Sequence, residues 1–131
     1  MATQQDAITA AVGIFSGRQN PEVQLTGDTA QALARLVKSD LGKEPTSPPP
    51  TPRLGFYYGF AVSMSAELAK SLGLPQQFGV YQGVLTEPAE RGQRHWRDVA
   101  GVEQFLLDQA HQQGHSELLR KVGVERQQPE R

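Results

Sequence analysis

The sequence contains no cysteine, which excludes disulfides, zinc-thiolate sites and cysteine nucleophiles at the outset. Aromatics make up only 7% of the residues, with a single tryptophan, and there are three histidines. Charge of one sign is also missing. Thirteen Lys and Arg stand against fourteen Asp and Glu, a net charge of −1 that argues against a nucleic-acid coat protein or a polybasic membrane binder. No apolar run approaches the ~20 residues of a membrane span, and no charged-then-apolar leader opens the chain, so a cytoplasmic location is the expectation. What remains is 131 residues with 37% hydrophobic content, one domain's length and enough for one core.

Periodicity divides the chain into elements. Ile8, Ala10, Val12 and Ile14 alternate with smaller residues and predict a strand over 8–15, followed by a short extended piece with Val23 and Leu25 inward. Thr26 or Asp28 can cap a helix over 29–41, with Ala30, Leu33, Leu36, Val37 and Leu41 as its apolar stripe and Gly42 as its stop. Residues 54–65 alternate cleanly: Leu54, Phe56, Tyr58, Phe60, Val62 and Met64 oppose Gly55, Tyr57, Gly59, Ala61, Ser63 and Ser65, predicting one long strand. Ser65 can cap a short helix over 66–72, and Gln77 to Thr86 reads as another strand. The polar stretch 87–97 reads as a loop. Asp98 can cap a last helix carrying Val99, Val102, Phe105, Leu106 and Ala110 on its buried side.

This order predicts an α+β fold, a small antiparallel or mixed sheet of three to four strands with two main helices on one face. One domain over 1–124 is expected, with a disordered tail over 125–131. Residues 43–53 hold five of the nine prolines and read as a stiff polyproline-type connector inside that domain. The competing reading is a ligand for an aromatic-lined groove.

Four places invite a functional reading. In the turn Ser16-Gly17-Arg18-Gln19-Asn20-Pro21, Arg18 and backbone N–H groups can converge on an anion, although no Walker or dinucleotide-binding glycine pattern is present. His111 and His115 stand four apart, but Gln112 replaces the acid of the metalloprotease motif and Gly114 interrupts the helix, so no metal site and no cofactor are expected. Arg91, Arg94, His95, Trp96 and Arg97 crowd into seven residues. Arg94, Trp96 and Arg97 suit a protein-partner surface, because Trp and Arg are frequent anchors of interfaces. Finally, Tyr57 and Tyr81 lie on the small-residue faces of their strands, where Gly55, Gly59, Gly79 and Gly83 would leave a shallow groove.

The stretch Ile14-Phe15-Ser16-Gly17-Arg18-Gln19-Asn20-Pro21-Glu22, followed by an amphipathic helix, resembles small bacterial proteins with a Phe-Ser-Gly-Arg-x-Asn-Pro signature near the N-terminus. Those proteins also tend to end in a helix similar to Glu103–Asp108. The resemblance carries no activity and implies no catalytic residue. It points only to the 16–21 turn.

No Gly-x-Ser-x-Gly elbow and no spaced carboxylate pair marks the chain as an enzyme. The first expectation is therefore an accessory or regulatory protein that acts by binding another protein. The second is a small-molecule binder or enzyme whose site combines Ser16, Arg18 and Asn20 with the Tyr57 and Tyr81 face. Nucleic acid and membrane are not expected partners.

Overall fold

The computed structural model describes residues 7–14, 21–49 and 57–121. Residues 1–6, 15–20, 50–56 and 122–131 lie outside the described residues, and with them all but Pro21 of the turn expected over 16–21 and the tail expected over 125–131. The elements in chain order are β1 (Ile8–Ile14), β2 (Glu22–Leu25), α1 (Gly27–Asp40), β3 (Tyr57–Ser63), α2 (Ala66–Leu72), β4 (Gln77–Tyr81), β5 (Val84–Pro88), β6 (Gln93–Arg97), α3 (Val102–Gln112) and α4 (Ser116–Lys121). All pairings are antiparallel, in the order β2-β1-β3-β4-β5-β6.

The class is α+β, but the expected three to four strands are corrected to six, and the two main helices α1 and α3 are joined by the short α2 and α4. Two local causes account for the extra strands. Gln82 and Gly83 both take positive φ, 54° and 77°, the backbone of a tight two-residue hairpin turn. The stretch 77–86 therefore folds back on itself as β4 and β5. The polar stretch 87–97 then supplies β6, held to β5 by pairing from Val84↔Arg97 to Pro88↔Gln93. Being at the sheet edge, β6 keeps its polar side chains half or fully exposed and shows no apolar alternation.

The core lies on one side of the sheet. Ile8, Ala10, Val12, Val23, Leu25, Phe60, Val62, Phe78, Val80 and Leu85 pack against Ala30, Leu33, Ala34 and Val37 of α1 and Val102, Leu106, Leu107 and Ala110 of α3. Val99, expected in the α3 stripe, precedes that helix and is 69% exposed. The even alternation expected across 54–65 also breaks. Val12 pairs with Phe60 while Ile14 pairs with Tyr57, so β3 spends three residues where β1 spends two. That extra residue is a β-bulge, and Gly59 takes φ +93° within it.

Both edges of the sheet are occupied by the chain itself. Along β6, Arg97 N donates to Glu44 O (2.8 Å) and Thr46 N to His95 O (3.0 Å), with Pro45 bridged to Trp96. The start of the proline segment thus runs as an edge rather than hanging free. Along β2, Gln24 N donates to Gln113 Oε1 (3.2 Å) and Gln113 Nε2 donates back to Gln24 O (2.9 Å). One side-chain amide completes the ladder as another strand would, which blunts an otherwise open edge. Among the described residues, no helix is long and apolar enough to cross a membrane.

Candidate binding groove on the sheet face opposite the helices

Because strand side chains alternate, the residues that do not face α1 and α3 fall together on the opposite side of the sheet. There they form a concavity of about 820 Å3, within the ~300–1,000 Å3 usual for small-molecule sites. Its floor is made of small groups: Ala11 and Gly13 of β1, Ala61 and Ser63 of β3, and Gly79 of β4. Tyr81, Thr86, Gln93 and His95 stand along the β4–β6 side, and Thr9, Glu22 and Gln77 also line the groove. Pro48 and Pro49 line it as well, where the chain continues from the β6 edge.

The polar groups near β6 are held in place. Thr86 and His95 are paired across β5 and β6, with Thr86 Oγ1 3.0 Å from His95 Nδ1. The β4–β5 turn that follows Tyr81 is tied to the start of α3. Gly83 N donates to Glu103 Oε1 (3.1 Å), and Asp98 N donates to Gly83 O (2.8 Å). The floor also accepts a test of its own depth. A Cβ placed on Gly79 meets nothing nearer than Phe60 O at 3.4 Å, an ordinary contact, so a larger side chain is tolerated there.

Of the residues singled out from the sequence, Tyr81 lines this groove. Ser16, Arg18 and Asn20, and with them the Phe-Ser-Gly-Arg-x-Asn-Pro signature, lie outside the described residues, as does the side chain of Tyr57. Gly13 and Glu22, between which that stretch runs, both line the groove. The Arg94, Trp96 and Arg97 cluster is divided. Trp96 packs against the core and its indole N–H donates to Glu87 Oε1 at 2.7 Å, while Arg97 pairs with Glu44 at 3.5 Å. Arg94 is exposed on β6, in register with Glu87.

The two histidines near the C-terminal helices turn to different partners. His111 Nδ1 lies 2.7 Å from Ser116 Oγ, and His115 Nε2 donates to Glu22 O at 3.2 Å. Among the described residues no group of three or more His, Asp or Glu assembles as a metal site.

Sequence reasoning missed His95 and Thr86 as groove residues, because the β6 strand that brings them together looked like a loop. It also missed Asp40, the one buried polar or charged residue among those described, at 1% exposure. Asp40 Oδ1 accepts from Val99 N (3.1 Å) and Ala100 N (3.0 Å), pinning the end of α1 to the start of α3. Asp98 beside it accepts from Gly101 N, Val102 N and Glu103 N at 2.8–3.0 Å, satisfying the first turn of α3. Burial pushes the Asp40 carboxyl up to about 6, helped by the hydrogen bond to the Asp98 side chain and its negative charge and opposed by the two backbone N–H groups. This pair lies on the helix side of the sheet and reads as structural.

Compared with protein-family models, curated proteins and solved structures, the chain matches none. The functional reading therefore rests on the groove alone.

Proposed function

We propose that this chain is a small-molecule-binding protein whose ligand lies flat on the face of the sheet opposite α1 and α3. The observation that carries the reading is the 820 Å3 groove itself, floored by glycine, alanine and serine and lined by Pro48 and Pro49. A floor of such small residues lets a flat ring approach the strand backbone closely. Proline rings supply a rigid apolar surface against which a ring can pack without loss of side-chain freedom. Polar groups border this floor on both sides, Tyr81, Thr86, Gln93 and His95 toward β6 and Thr9, Glu22, Ser63 and Gln77 elsewhere in the lining, and can supply the orienting contacts. An aromatic or polycyclic molecule suits this arrangement, and no reaction is assigned to it.

The protein-partner reading draws less support. Trp96 and Arg97 already have partners within the chain, so an interface would have to displace them.

The groove reading predicts the behaviour of Gly79→Val. The added side chain occupies the floor from a strand position that favours β-branched residues, so the variant should unfold within about 1 kcal/mol of wild type. N-phenyl-1-naphthylamine, a neutral aromatic dye that brightens in apolar sites, should bind wild type and bind the variant at least tenfold more weakly. Equal binding to both proteins would place the dye elsewhere and defeat the reading.

A further inference from the structure

We infer that the groove ligand carries an anionic group that docks on His95, so that the molecule is a planar organic anion such as an aromatic carboxylate or sulfonate. This inference rests on the groove reading above. Glu22, Tyr81 and His95 are the ionisable residues among the described lining groups. Glu22 belongs to edge strand β2 and His95 to edge strand β6, five strand spacings apart, roughly 24 Å at about 4.8 Å each. A negative group is repelled at the first end and met by a nitrogen donor at the second. The ligand's orientation follows.

The histidine ring is held by a neighbour on β5. Thr86 Oγ1 lies 3.0 Å from Nδ1, and a threonine hydroxyl donating there leaves the ring proton on Nε2. The Thr86↔His95 pairing sets the position of the ring, and the hydrogen bond from Thr46 N fixes the backbone carbonyl behind it. Hydrogen bonds to an ionised acceptor are roughly twice as strong as those between neutral groups. Arg97, two residues further along β6, pairs with Glu44 and is not among the residues lining the groove.

Two dyes with one aromatic body separate the charge from the rings. 8-Anilino-1-naphthalenesulfonate carries a sulfonate that N-phenyl-1-naphthylamine lacks, and both are titrated by fluorescence against wild type and His95→Phe. The expected result is about tenfold weaker binding of the sulfonate dye to the variant, with the neutral dye not weakened. Thr86→Val, which removes the hydroxyl at nearly constant shape, should weaken the sulfonate dye about threefold and serves if His95→Phe folds poorly. Equal loss of both dyes, or loss of neither, would overturn the anion assignment while leaving the groove reading standing. Failure of both dyes to bind wild type would remove the groove reading as well.

Discussion

Gly59→Ala is expected to destabilise the protein by about 3 kcal/mol or more, enough to leave a marginal domain largely unfolded. Two penalties combine. The residue sits at φ +93°, where an L side chain is strained by about 1–3 kcal/mol. A Cβ would also lie 2.0 Å from Val80 O and 2.6 Å from Tyr81 Cβ, and the first of these is backbone that can yield only by parting β3 from β4. Overpacking of this kind adds about 1–3 kcal/mol. Urea denaturation of wild type and variant gives the difference from the midpoints. A loss below about 1 kcal/mol would mean that the bulge is not formed. Gly79, on the neighbouring strand, makes the matched control, since a Cβ there meets Phe60 O only at an ordinary 3.4 Å.

The second large effect concerns acid. The folded pKa of Asp40, raised to about 6 from an ordinary 3.8, means that the folded state keeps a proton that the unfolded state releases. The stabilisation from that proton is complete below about pH 3.8 and is lost as pH rises through about 6. Over that window the loss amounts to about 3 kcal/mol. The buried Asp40 Oδ2, which has no partner as a carboxylate oxygen, gives the atomic reason. Protonated, the carboxyl donates to Asp98; ionised, it faces that carboxylate in a buried place.

Asp40→Asn is the corresponding variant. Its amide keeps an oxygen for Val99 N and Ala100 N and offers an N–H toward Asp98 at every pH. The difference in unfolding free energy between wild type and Asp40→Asn should therefore change by about 2.5 kcal/mol from pH 4 to pH 7.5, with the variant the more stable at the upper end. Other carboxylates titrate in the same range, and the subtraction cancels them. A difference that stays constant across this range would show that folding leaves the Asp40 carboxyl at its ordinary value.

Much of the helical half of this fold is legible in the residues. Ser65 accepts from Leu68 N as an N-cap should, Gly73 ends α2 in the left-handed region, and Asp98 satisfies the first N–H groups of α3. Caps and stops are local chemistry, and local chemistry can be read from adjacent residues. The sheet is less legible because its boundaries depend on backbone angles and on pairing. Gln82-Gly83 makes the hairpin turn that Asn-Gly would have announced. β6 is made a strand by β5 beside it, not by its own polar composition.

The groove was half visible. Its small-residue floor shows as a glycine and alanine face, but the side that carries His95 exists only once β6 is in place. Asp40 gave no signal at all. It stands at the end of a helix, where an aspartate is normally wet, and only the 98–100 backbone arriving from sixty residues away buries it.

The central claim, that a flat ligand lies on the sheet face opposite α1 and α3, is tested most directly by amide chemical-shift mapping of the wild-type protein with N-phenyl-1-naphthylamine. The account predicts saturable shifts at Ala61, Gly79, Thr86 and His95, all lining the groove, with the buried amides of α1 and α3 little changed. Shifts confined to α1 and α3, or none at any of the four groove amides while the dye demonstrably binds, would contradict it.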